Sequence, residues 1–187
     1  MTTVDLITGF LGSGKTTFIK KYVRFLMERG ENVCILENDF GAVNVDMMLL
    51  QELSDAGCGM EMVSGACDKD CHQRRFKTKL IAMAMSGYSR VVIEPSGIFD
   101  VDEFFDTLRE PPLERWYRIG SVITVVDPTM DKDISQSSAF LLASQAAVAG
   151  RIVFSHCETA LQSNITETLG LISDSMKAIH AERDPSL

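Results

Sequence analysis

Residues Gly9 to Thr16 read Gly-Phe-Leu-Gly-Ser-Gly-Lys-Thr and fit the phosphate-loop pattern G-x-x-x-x-G-K-[ST]. Such a loop acts between a strand and a helix. Here the apolar run Val4–Thr8 precedes it, and a helical stretch from about Lys15 to Arg29 follows. That stretch carries Phe18, Ile19, Tyr22, Val23 and Leu26 on one stripe, with Gly30 placed to end it. Gly9, Gly12 and Gly14 let the backbone turn tightly and bring its N–H groups against phosphate oxygens. Lys15 adds a mobile positive charge, the Thr16 hydroxyl can ligate Mg²⁺, and the helix N-terminus contributes N–H groups and partial positive charge. Gly12, Ser13, Gly14, Lys15, Thr16 and Thr17 are therefore candidate contacts to a nucleoside triphosphate, and Lys15 is also a catalytic candidate. A glycine-rich turn without a ligand is the bland alternative, and the flanking strand and helix argue against it.

The rest of the chain alternates short apolar strands with helical patterns. Strands are expected at Thr3–Thr8, Asn32–Glu37, Arg90–Glu94, Gly120–Val126 and Arg151–Phe154, and further helices at His72–Met85, Val101–Leu108, Ser137–Ala149 and Ile165–His180. This predicts an α/β, P-loop three-layer sandwich with a mostly parallel central sheet and helices on both faces. Ser54–Asp70 and Arg109–Trp116, with Pro111-Pro112, read as long loops. At 187 residues and 45% hydrophobic composition, a single domain over 1–187 suffices to bury the core. The net charge of −8 without a basic patch disfavours nucleic acid and anionic lipid as partners. The start lacks a secretory signal pattern and no run is long enough to span a bilayer, so a cytoplasmic protein is expected. Five cysteines, an odd set, fit thiols or metal ligands better than a disulfide scaffold.

Ligands in open α/β sheets collect at the carboxyl ends of the strands. Glu94-Pro95-Ser96-Gly97 follows such a strand. Glu94 can hold a metal-bound water or orient an attacking one, and the Gly97 N–H can sense a γ-phosphate. The plain alternative is a helix start capped by Ser96 beside a solvated Glu94. The segment Glu37–Asp46 follows another strand, so Glu37, Asp39 and Asp46 are candidate Mg²⁺ contacts, direct or through water, in a switch-like loop. A polar turn capping the next helix is the alternative.

Together, Gly9–Thr17, the Glu-Asn-Asp-Phe-Gly segment with Val45-Asp46, Glu94-Pro95-Ser96-Gly97, and Val125-Val126-Asp127 resemble the CobW/HypB/UreG family of P-loop GTPases. The resemblance implies slow, Mg²⁺-dependent GTP hydrolysis. It also implies delivery of a transition metal such as nickel, cobalt or zinc to a client metalloenzyme or cofactor-pathway protein. No arginine finger is evident, so slow turnover in isolation is expected, with a partner or a homodimer supplying the missing charge.

The chain departs from the family pattern in several places. The family's tight Gly-Cys-x-Cys-Cys motif corresponds to Ser64-Gly65-Ala66-Cys67-Asp68-Lys69-Asp70-Cys71-His72, with the cysteines spread apart. Cys67, Cys71 and His72 still offer thiolates and an imidazole, with Cys58 near in sequence and Glu37 as an added ligand, enough for zinc or a similar ion. Buried cysteines beside a solvated histidine, or a redox thiol pair, are the alternatives. The family's guanine-reading Asn-Lys-x-Asp corresponds to Ser155-His156-Cys157-Glu158. Glu158 can accept from guanine, whereas His156 lacks the lysine stem, so Ser155, His156 and Glu158 are base-contact candidates for GTP, with ATP open. An ordinary strand-to-helix turn is the alternative. Neither a further sheet strand nor the family's frequent C-terminal domain is expected within the 187 residues, which fits either a short member or a fragment.

Overall fold

Runs of Val, Ile and Leu alternate with amphipathic stripes, so strand and helix alternate along the chain. The computed structural model describes residues 1–38, 50–63, 69–95 and 101–181. In order these form β1 (Thr2–Thr8), α1 (Lys15–Glu28), β2 (Val33–Asn38), α2 (Gln51–Asp55), β3 (Gly59–Val63), α3 (Lys69–Met85) and β4 (Arg90–Pro95). They continue with α4 (Val101–Arg109), α5 (Leu113–Trp116), β5 (Tyr117–Val126), α6 (Gln136–Val148), β6 (Arg151–Phe154) and α7 (Gln162–Ala178). The strands make one sheet in the order β3-β2-β4-β1-β5-β6, and every pairing is parallel.

Side chains on successive strand residues point to opposite faces, and the core divides accordingly. Ile19, Val23 and Leu26 of α1 pack on Ile7, Val33, Ile35, Val92 and Val125 on one face. On the other face Phe76, Leu80 and Met83 of α3 and Phe104 and Leu108 of α4 pack on Val4, Leu6, Cys34, Leu36, Val91 and Ile93. Leu142, Ala143 and Ala146 of α6 join Ile172 and Met176 of α7 beside Val126. The expected three-layer α/β sandwich is the observed architecture.

The two expected loops contain regular structure. Within Ser54–Asp70 lies β3, an edge strand whose register pairs Cys34 with Gly59 and Asn38 with Val63. Its short length and Glu61 hide it from a search for continuous apolar runs. Within Arg109–Trp116, Pro111-Pro112 is joined by a cis bond and leads into the single turn of α5. Strand β5 also begins earlier than expected, at Tyr117. Gly120 lies inside it because a Cβ there would strike the Asp5 carboxylate.

That carboxylate belongs to a buried polar cluster that no motif announces. Asp5, fully buried in β1, accepts from Arg90 Nε at 2.6 Å and Nη2 at 3.1 Å. It also accepts from the Tyr22 hydroxyl at 3.0 Å and the Ser121 N–H at 2.6 Å. The carboxylate beside Arg90 raises the guanidinium pKa, against the opposing effect of burial. Burial raises that of the Tyr22 phenol.

Candidate nucleotide site

The loop between β1 and α1 is built by backbone that an ordinary residue resists. Gly9 crosses the end of β5 so closely that a Cβ would collide with the Val125 carbonyl oxygen. Gly14 caps α1 in a left-handed conformation, with φ 85°, and a Cβ there would lie 3.2 Å from Ser155 Cβ. The phosphate loop and the loop after β6 are thus in direct contact. Helix α1 starts with neither a side-chain cap nor an acidic residue in its first turn. A helix N-terminus of this kind presents N–H groups and partial positive charge suited to an anion. In contrast, Ser135 caps α6 by accepting from the Ser138 N–H at 3.1 Å.

Lys15 is largely buried, and its Nζ donates to the Phe10 carbonyl at 3.0 Å, so the ammonium sits within the turn of the loop. Ser13 Oγ is buried and makes no hydrogen bond among the described residues. The Thr16 hydroxyl donates to Glu94 Oε1 at 3.0 Å. Glu37 lies directly beside Glu94 in the register of β2 and β4, and both are buried. By strand alternation both share the α1 face with Ile35 and Val92. Two adjacent buried carboxylates with a threonine hydroxyl form a hard oxygen donor set of the kind that binds Mg²⁺. This donor set, the Gly9 cradle and the buried Ser13 hydroxyl all fit an Mg²⁺-bound triphosphate.

A cleft of about 300 Å³ continues from Gly14 and Thr17 past Lys21 to Phe154, His156 and Glu158. Thr17 is exposed on its wall. His156 takes a left-handed backbone, φ 49°, and its Nδ1 lies 3.0 Å from Asp127 Oδ2. Asp127 is held in turn by the Thr129 N–H at 2.8 Å and hydroxyl at 2.7 Å. Burial alone would raise the Asp127 pKa, but the bonds from Thr129 and the neighbouring His156 bring it below the ordinary value. Ser155 Oγ donates to the Val126 carbonyl at 3.3 Å. Glu158 is exposed.

The cysteine and histidine candidates lie elsewhere. Cys71 borders a groove of about 500 Å³ between β3 and α3, with Met62, Arg74, Arg75 and Lys79. His72 is fully buried and heads the stripe His72, Phe76, Leu80, Met83, its Nε2 donating to Asn38 Oδ1 at 2.6 Å. Adjacent helical positions diverge, so the structure turns Cys71 and His72 in different directions. Asn38 and Glu37 point to opposite faces of the sheet, which separates His72 from Glu37 as well. Cys58 is buried, and burial pushes its thiol up to about 11. No three His, Cys, Asp or Glu side chains among the described residues are grouped to hold a metal ion. Asp39, Asp46, Cys67 and Gly97 lie outside the described residues. Sequence reasoning gave no role to Asp127 or Lys21. Their signal is tertiary, since Asp127 meets His156 across 29 positions of chain.

The profile of the CobW/HypB/UreG nucleotide-binding domain matches residues 3–182. The chain belongs to this family. It is 32% identical over 154 residues to the zinc chaperone YeiR of Escherichia coli (strain K12), covering 82% of this chain and 46% of YeiR. To the zinc chaperone YjiA of the same organism it is 26% identical over 164 residues, 84% of this chain and 50% of YjiA. The chain therefore spans about half the length of these curated relatives. Among solved structures it resembles the Zn(II)-bound YjiA GTPase from Escherichia coli, with a TM-score of 0.55 and 20% identity, covering 89% of this chain and 53% of that one. At that identity the likeness speaks for the fold. No helix among the described residues of this CobW-family domain is long and apolar enough to cross a membrane.

Proposed function

We propose that this chain is the nucleotide-binding and slowly hydrolysing domain of a cytoplasmic metal-delivery protein. The observation that carries the proposal is the meeting of Thr16 and Glu94 at 3.0 Å, with Glu37 beside Glu94 in register and Lys15 inside the adjoining turn. In this reading Gly12 to Thr17 hold the phosphates of GTP, and Thr16, Glu37 and Glu94 hold Mg²⁺, with Asp39 and Asp46 reaching it directly or through water. When bound, Mg²⁺ neutralises phosphate charge as it develops. Lys15 adds its ammonium to the same oxygens, Glu94 orients water, and the Gly97 N–H senses the γ-phosphate. Catalysis is then positional and electrostatic, which suits a slow enzyme that relies on a client or a second copy for further charge.

The cargo is a zinc-like ion taken by the thiolates of Cys67 and Cys71. The likeness to the zinc chaperones YeiR and YjiA supports that choice. The client is a metalloenzyme or a protein of a cofactor pathway.

The test is equilibrium dialysis of Zn²⁺ against the protein alone and with Mg²⁺ and a non-hydrolysable GTP analogue. Wild type is expected to change its Zn²⁺ affinity at least about tenfold on binding the analogue, a coupling of about 1.4 kcal/mol. Lys15→Ala is expected to show no change. Equal Zn²⁺ affinity with and without the analogue, in wild-type protein shown to bind it, removes the delivery reading.

A further inference from the structure

We infer that the base subsite grips a purine by its flat face against His156 and accepts adenine nearly as well as guanine. This rests on the nucleotide-binding proposal above and concerns which base the site takes.

The imidazole is fixed as a platform. Its Nδ1–H points at Asp127 Oδ2, 3.0 Å away, and Asp127 is itself pinned by both donors of Thr129. The left-handed backbone at His156 sets the ring against the phosphate loop, where a Cβ on Gly14 would lie 3.8 Å from His156 Cε1. A base attached to phosphates held by that loop enters the cleft beside this ring. Stacking on an aromatic face is worth roughly ten- to hundredfold in affinity and tolerates any base with a broad π-face, so it favours purines without choosing between them.

Choosing between guanine and adenine takes fixed polar groups that one base satisfies and the other leaves orphaned. Among the described side chains lining the cleft, none is both fixed and matched to one purine only. Ser155 Oγ gives its proton to the Val126 carbonyl and lies 3.3 Å from His156 Nδ1, so toward a base it can only accept, and it accepts from guanine N–H and adenine N6–H alike. Glu158 is exposed and makes no hydrogen bond to any described residue, so nothing anchors its carboxylate. An unanchored acceptor takes guanine N1–H and N2–H or adenine N6–H with little distinction. Lys21, at the rim, can reach acceptors on either base. Solvent competes for both rim charges, which holds their discrimination within about tenfold, or 1.4 kcal/mol.

The experiment is a competition titration with Mg²⁺ against a fluorescent GTP analogue, using GTP, ATP, CTP and inorganic tripolyphosphate as competitors. Wild type is expected to bind GTP and ATP within about tenfold of one another, and CTP more weakly. His156→Ala should lose roughly ten- to hundredfold toward both purine nucleotides while its tripolyphosphate affinity stays put, which also shows that the variant is folded. The triple variant Ser155→Asn, His156→Lys, Glu158→Asp should open a GTP preference beyond that of wild type. A wild-type preference above tenfold for either purine, or His156→Ala with unchanged purine affinity, overturns the inference. If tripolyphosphate binds as tightly as any nucleotide, the base subsite falls and the phosphate site stands. If the GTP analogue, the nucleotides and tripolyphosphate all fail to bind, the nucleotide proposal falls with it.

Discussion

Replacing Asp5 with alanine tests the packing argument far from the nucleotide. The change removes a fully buried carboxylate that receives four donors and leaves Arg90, its side chain only 18% exposed, with Glu31 at 3.6 Å as its remaining ion pair. Removing one partner of a buried ion pair costs about 3–5 kcal/mol. The orphaned Ser121 N–H adds about 1–3 kcal/mol if it stays dry, whereas the Tyr22 hydroxyl keeps Ser121 Oγ at 3.5 Å. Water reaching the partly exposed guanidinium and the new cavity offsets part of that sum, leaving a net loss of about 4 kcal/mol. For a domain of this size each kcal/mol moves Tm by about 2–4 °C, so Asp5→Ala should melt about 8–16 °C lower in differential scanning calorimetry. Asp5→Leu with Arg90→Met should lose less, because no charge is left buried. Nucleotide affinity measured well below the transition should be unchanged, since the cluster lies toward the amino ends of the strands. A fall in Tm below about 3 °C, or a double variant less stable than Asp5→Ala, would refute the reasoning.

The cysteines give two further expectations. Cys157 is exposed at the base cleft whereas Cys34 and Cys58 are buried, so native-state alkylation at pH 8 should label Cys157 and spare the other two. Mg²⁺ with GTP should slow labelling of Cys157 at least about tenfold, followed by mass spectrometry; an unchanged rate would place the base elsewhere. Burial also pushes the Cys34 thiol up to about 12 and the Cys58 thiol up to about 11. Raised acids favour folding below their unfolded pKa and lose that advantage above it. Stability should therefore decline as pH rises from about 9 toward 11, by up to about 1.4 kcal/mol per thiol per pH unit. Thermal melts of Cys34→Ala, Cys58→Ala protein should show a shallower decline, and an identical slope would rule the thiols out as its source.

Much of this architecture was legible in the sequence because local chemistry agreed with global position. The phosphate loop demanded a strand before and a helix after it, and the stripe Ile19, Val23, Leu26 supplied the buried face. The apolar runs of β2, β4 and the later part of β5 fit fully buried parallel strands. What stayed hidden depends on neighbours. Strand β3 pairs with a single strand, so Gly-Met-Glu-Met-Val needs no continuous apolar run. His72 looked like a solvent-side ligand next to Cys71, yet its spacing to Phe76, Leu80 and Met83 is that of a core stripe headed by a polar residue. The partnership of Asp127 with His156, and of Asp5 with Arg90, joins positions that no local pattern connects.

The end of β2 carries a mechanical consequence. Glu37 stands beside Glu94 on the side of Thr16, and the next residue, Asn38, bonds His72 in the first turn of α3. One peptide unit separates these two residues, so a side chain facing the phosphate loop and one facing α3 share a single strand tip. A substitution that disturbs the backbone of this strand tip is therefore felt on both faces of the sheet, at the carboxylate pair and at the first turn of α3.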